Sequence, residues 1–174
     1  MAGFERFRQS AIADYTHVKS PYADRIIKIS LLLPAHEEMM RELQPLAEVV
    51  WPTFTPKGEA DTPVFLAAWR AVALALMEYR SGQYTRAIWY SDRCLKARER
   101  IAPRTAAAHI IHAMTQYKLG KTSEAALELA QAREMIESKY KNPLDRGSVS
   151  QGFWFDWTFA RILLREATAL IPPS

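Results

Sequence analysis

His109 and His112 are the residues of this 174-residue chain whose type and spacing most readily do chemistry. Two histidines that ligate a metal from one helix stand at i and i+4 with a further ligand, as in a His-Glu-x-x-His run. Here the spacing is three and no such run occurs, so both are expected to be packed, structural histidines. His17 and His36 have no cysteine cluster near them in sequence. Cys94 is the single cysteine; to act as a nucleophile it needs a thiol acidified by a helix N-terminus or by basic neighbours. Arg93 is adjacent, but Cys94 falls on a face of small residues, and an inert packed thiol is expected. One cysteine excludes an internal disulfide framework and fits a reducing compartment. The paired carboxylates Glu37 and Glu38 stand at a helix start, where they complement the helix dipole. No metal, cofactor or catalytic constellation is therefore expected.

Binding chemistry has better candidates. A phenol beside a cation occurs at Tyr79-Arg80 and again at Tyr117-Lys118, and Arg161 and Arg165 follow Trp157 at helical spacing. On stacked, equivalent helices such residues converge on one concave face although they are distant in sequence. The expected partner-binding set is Tyr79, Arg80, Tyr117, Lys118, Trp157, Arg161 and Arg165, facing a protein or peptide of acidic character. Trp69, Val72, Ile110 and Trp154 share these helices, and the simpler reading makes them core, as stripes at helical spacing commonly are.

The elements that must position these residues form two copies of one unit. AWRAVALALMEYRSGQYTRAIWYSDRCLKA aligns without gaps through its turn with TAAAHIIHAMTQYKLGKTSEAALELAQAREMI. Gly82 and Gly120 occupy matching turns, where glycine tolerates the left-handed backbone at a helix C-terminus. Ala87 and Ala125 each lie five residues later, and Cys94 and Ala132 seven beyond those, so small residues form a seam along which two antiparallel helices can approach closely. This pattern resembles the tetratricopeptide repeat, whose period is about 34 residues. The spacing from Gly82 to Gly120 is longer by four, which the loop around Glu99 to Pro103 accommodates. On the first helix of each unit the usual Trp, Leu and Gly are replaced by Ala71, Leu74 and Ala75, then by His109, His112 and Ala113. The resemblance implies an all-α, right-handed stack of antiparallel helix pairs, with residues 63–98 and 104–138 as the best repeats. One subclass of that family clamps a C-terminal carboxylate with lysine and asparagine. The matching positions here, Val72, Leu76, Ile110 and Met114, are all apolar.

Around this centre the sequence predicts about eight helices in one domain spanning 1–174. Phe4, Phe7, Ala11 and Tyr15 recur on one face of an opening helix ending near Tyr15. Ser20-Pro21 supplies an N-cap and a first-position proline for a second helix, with Ala23, Ile26, Ile27 and Leu31 inward and an end at Leu33 before Pro34. Residues 35–50 form an apolar-faced helix that Pro45 must kink or break. Residues 51–63 read as a loop, helices are expected over 63–81, 84–98, 104–119 and 122–138, and 141–151 is a second loop. A capping helix follows over 153–171, with no sheet.

The chain carries 49% apolar residues and a net charge of +4 from 23 basic and 19 acidic side chains. Their interspersion permits an acidic partner without demanding one. No apolar run reaches the roughly 20 residues of a membrane span, and the opening residues lack a signal-peptide apolar segment, so a cytoplasmic location is expected. The order from LLLP through the two repeats to WFDWTFARILLREATALI is similar to the helical C-terminal region of certain large bacterial serine/threonine protein kinases. The residues carrying this likeness are Trp154, Asp156, Trp157, Ala160, Arg161, Leu163, Leu164, Arg165, Glu166 and Ala167. It implies an accessory, partner-facing module, and an origin within a longer protein. Kinase activity is not implied, because the glycine-rich nucleotide loop, the His-Arg-Asp loop and the Asp-Phe-Gly motif are missing. The leading expectation is a non-enzymatic scaffold that binds a protein or peptide. The alternatives are a helical domain that binds nucleic acid, disfavoured because no basic run with interleaved aromatics occurs, and a helical enzyme whose site the sequence does not display.

Overall fold

The computed structural model describes residues 2–15, 21–141, 147–148 and 151–172. The chain is mostly helical, as expected. Helix α1 (Ala2–Tyr15) ends where predicted, but it docks by a different face. Phe7 and Tyr15 are exposed, while Arg8 and Ile12 are buried. The reason is local: Arg8 Nη1 reaches Ser30 O, at the last residue of α2 (Ala23–Ser30), and Pro34 O beyond it, each at 3.3 Å. A cation at a helix C-terminus satisfies both the orphan acceptors and the dipole, and α1 rotates to supply it. The proposed cap Ser20 lies outside the described residues, and α2 stops three residues short of Leu33.

Pro45 breaks the next apolar segment as predicted. Helix α3 (Glu37–Glu42) starts at His36, whose Nδ1 accepts from Met39 N at 3.2 Å. Helix α4 (Gln44–Val50) begins afresh with Pro45 in its first turn. The stretch 51–63 is a correction to the expected loop: it holds a 3-10 turn over Trp51–Phe54 and helix α5 (Pro56–Asp61). Its prolines sit at helix starts, where the missing N–H is harmless, and Thr55 Oγ1 caps α5 by accepting from Gly58 N at 3.1 Å.

Four long helices follow: α6 (Val64–Arg80), α7 (Tyr84–Leu95), α8 (Ala102–Lys118) and α9 (Thr122–Lys139). Their two tight turns are built alike. Gly82 and Gly120 have φ of +72° and +79°. Gly82 N donates to Tyr79 O and Gln83 N to Glu78 O, and Gly120 N and Lys121 N donate to Tyr117 O and Gln116 O in the same pattern. This double bond set is the Schellman closure that a left-handed glycine allows. Ala87, Ala125 and Ala132 are fully buried and Cys94 nearly so, as the seam requires. Helix α8 packs against α6, α7, α9 and the final helix α10 (Trp154–Leu170), which explains why Ile110, Ile111, Ala113 and Met114 are all fully buried.

Of the second predicted loop, Asn142, Pro143 and Arg146 lie outside the described residues. The expectation of no sheet needs one small correction: Gly147–Ser148 pairs antiparallel with Gly152–Phe153. This ladder sets the start of α10. Gly152 has φ +82°, and a Cβ there would meet Pro103 Cγ at 2.1 Å, so only glycine lets the ladder rest on the first turn of α8.

Candidate functional site

Helices α2, α6 and α10 wall a cavity of about 500 Å³ that opens to solvent. Its apolar sides come from Ile29 on α2 and Leu32 just beyond its end, Phe65 and Trp69 on α6, and Phe153, Phe155 and Phe159 around the start of α10. Trp154 and Phe155 stand at its rim, 64% and 52% exposed. They are exposed because the ladder turns the chain sharply into α10, whose inward positions are taken by Asp156, Trp157, Phe159 and Ala160. Phe155 makes an edge contact with Trp154 and stacks on Phe153.

The polar part of this cavity is a cluster of Asp24, Lys28 and Asp156, with Arg25 and Thr158 also in the lining. Lys28 Nζ lies 3.9 Å from the centre of the Trp69 ring and 5.3 Å from that of Phe159, within cation-π range. It is 3.7 Å from Asp156 Oδ1. Asp156 Oδ2 meanwhile accepts from Phe153 N at 3.3 Å, holding the first turn of α10. Burial pushes the Lys28 pKa down, against the opposing pull of Asp156 and Asp24. Burial likewise raises the carboxyls of Asp24 and Asp156, with Lys28 opposing in both. Low local dielectric disfavours each charge and strengthens their mutual attraction, so the three are held as a set. Asp24 and Lys28, four apart on α2, are the available sequence signal: opposite charges at i, i+4 spacing within a helix that also buries Ala23, Ile27 and Ser30.

The seven residues singled out from the sequence are distributed elsewhere. Tyr79 is buried, and burial pushes its phenol up to about 12. Arg80 pairs with Glu166 through both Nη atoms of its guanidinium, and its side chain is nearly buried. Trp157 is buried on α10 with its indole nitrogen unpartnered in the interior. Tyr117 is half-buried and Lys118 exposed at the end of α8. Arg161 and Arg165 do come together, with Arg133 and Tyr140, along a groove of about 490 Å³ between α9 and α10, where Arg161 lies over the Tyr140 ring at 4.6 Å. The structure thus brings together two of the predicted cations, and holds Arg80 in an internal ion pair that the repeat pattern could not reveal.

His109 and His112 meet Glu128 of α9. His109 Nδ1 contacts Glu128 Oε2 directly, His112 Nδ1 is 3.5 Å from Oε1, and His112 Nε2 is 3.5 Å from Asp92 Oδ1 on α7. Burial alone would raise the Glu128 carboxyl, but His109, hydrogen-bonded to it, and His112 beside it hold it down at about 2. Among the described residues no group of three His, Cys, Asp or Glu side chains could hold a metal ion. Burial pushes the Cys94 thiol up to about 12, with Arg104 opposing. Arg104 is itself fully buried, donating to Phe65 O at 3.3 Å and to Glu99 O. Among the described residues no helix is long and apolar enough to cross a membrane.

Compared with known proteins, the chain matches no family model, no curated protein and no solved structure.

Proposed function

We propose that this chain is a non-enzymatic, tetratricopeptide-like interaction module, a right-handed stack of antiparallel helix pairs that takes a peptide or protein segment in the groove of α2, α6 and α10. The observation that carries the reading is the aromatic-walled cavity of about 500 Å³ with Trp154 at its rim. Solvent-facing aromatics around a concavity are the usual anchors of binding energy at interfaces. The identical glycine closures after α6 and α8 support equivalence of the two helix pairs. The state of the reactive residues supports a non-enzymatic role, since a buried thiol near 12 is a poor nucleophile and His109 and His112 are engaged with Glu128 between helices. Arg161 and Arg165 offer a second contact, suited to acidic side chains, beside Arg133, which is paired with Glu137. The resemblance to the C-terminal region of bacterial serine/threonine protein kinases gives the setting: an accessory domain beside a catalytic one, in the cytoplasm.

The test is a peptide array probed with wild type, with Trp154→Ala/Phe155→Ala and with Arg161→Ala/Arg165→Ala. The rim variant should lose most capture while its melting temperature holds, because both side chains are exposed. The arginine variant should lose acidic peptides selectively. Capture unchanged by the rim variant would remove the groove as the partner surface, and stronger binding to oligonucleotides than to peptides would favour a nucleic-acid partner.

A further inference from the structure

The geometry points to a specific ligand chemistry for the groove of α2, α6 and α10: a neutral group that both donates and accepts hydrogen bonds, carried on an aromatic or bulky aliphatic body. In a peptide this is a main-chain amide beside a large apolar side chain. The inference rests on the reading of this groove as the partner surface and names what enters it.

The polar cluster sets the requirement. Lys28 Nζ and Asp156 Oδ1 are 3.7 Å apart, beyond direct hydrogen-bond contact. An ammonium has three N–H donors and an ionised carboxylate has several acceptor positions, so hydrogen-bonding capacity of both signs borders the cavity. The Trp69 face, 3.9 Å from Nζ, fixes the ammonium in place. Charge is close to balanced here. Two carboxylates, Asp24 and Asp156, face two cations, Arg25 and Lys28, in the cavity lining.

A carboxylate entering this site would gain Lys28 and oppose Asp156, and an ammonium would do the reverse. Either would also lose its hydration in an apolar cavity, which is costly for an ion without a matched partner. An amide loses less on desolvation and can accept from Lys28 while donating to Asp156, so both of its polar atoms are matched. The cavity, about 500 Å³, is within the range of small-ligand pockets and admits an aromatic ring with its neighbouring peptide units. The aromatic walls then supply the affinity and the Lys28–Asp156 gap supplies the choice of head group.

Three probes that share an indole body and differ in head group test this on the full chain at neutral pH: N-acetyl-tryptophanamide, indole-3-acetate and tryptamine, titrated by ligand-observed NMR. The neutral amide should bind roughly tenfold more tightly than either ion, about the effect of one hydrogen bond. Lys28→Met leaves Asp156 without its counter-ion and should shift the preference to tryptamine. Indole-3-acetate or tryptamine matching the amide on wild type would overturn the inference whether or not the variant folds, and so would failure of all three probes to bind. An unaltered ranking in a folded Lys28→Met protein would also overturn it. The two readings fail separately: lost peptide capture by the rim variant together with no amide preference sinks only the ligand chemistry. An amide preference with capture indifferent to the rim variant sinks only the partner surface.

Discussion

Arg80 and Glu166, 86 residues apart in sequence, form a two-pronged ion pair in which Nη2 lies 2.7 Å from Oε2. Nε of the same guanidinium donates to Leu31 O at 3.2 Å, at the end of α2. One side chain therefore ties together α2, α6 and α10, the three helices that wall the aromatic groove. The planar, forked donor set of arginine suits this task and a lysine would not reproduce it.

That clamp predicts a stability effect. Glu166→Gln should cost roughly 1–3 kcal/mol, the range for a partly buried hydrogen bond to a charged group, and Arg80→Lys should recover little of the geometry. Denaturant midpoints of the two variants check this. Wild-type midpoints in both would show that the pair contributes nothing to holding the groove helices.

Packing at the seam predicts a second effect. Ala87 and Ala125 are fully buried between paired helices, so Ala87→Leu or Ala125→Leu should overpack the pair and cost roughly 1–3 kcal/mol each. Thermal melts of the two single variants measure it, and equal losses are expected from equivalent positions.

The thiol offers a simple chemical readout. With Cys94 buried and its pKa near 12, the thiolate fraction at pH 8 is negligible and the sulfur is shielded. An alkylating reagent followed by mass spectrometry should leave the native chain unlabelled and add one group after denaturation. Rapid labelling of native protein would contradict the burial of the seam.

Acid should act through Glu128. Its carboxyl titrates at about 2 in the folded chain against an ordinary value of 4.5. As pH falls, the unfolded chain therefore binds this proton first. The stabilisation is complete above about 4.5 and is lost as pH drops through 2. Glu128→Gln should remove that part of the acid dependence, so the stability curves of wild type and variant should converge between these two values. Parallel curves across the window would show that the two histidines do not hold the carboxylate.

Much of the scaffold was legible because it depends on short-range chemistry. Gly82 and Gly120 mark turns that need a left-handed residue, Pro45 cannot sit inside a helix, and Ala87 and Ala125 mark close approach. All of these are properties of a few neighbouring residues. The short helix Pro56–Asp61 was missed because three nearby prolines resemble loop chemistry until their positions at helix starts are known. Periodicity ranks Phe7 above Arg8 on α1, whereas the carbonyls of Ser30, at the end of α2, and of Pro34 select the arginine.

The sequence by itself determined a helical chain with two like helix pairs, a buried small-residue seam and histidines on a packed face, since periodicity, turn residues and side-chain size act locally. Only the tertiary structure decided which residues share a site. Asp24 and Lys28 on α2, Trp69 on α6 and Asp156 on α10 meet because three helices far apart in sequence wall one cavity. The same packing draws Arg80 onto Glu166 and Leu31, turning an expected surface cation into an internal clamp. Long-range pairing of charges depends on where helices dock, and helix periodicity carries no information about the partner that burial will bring.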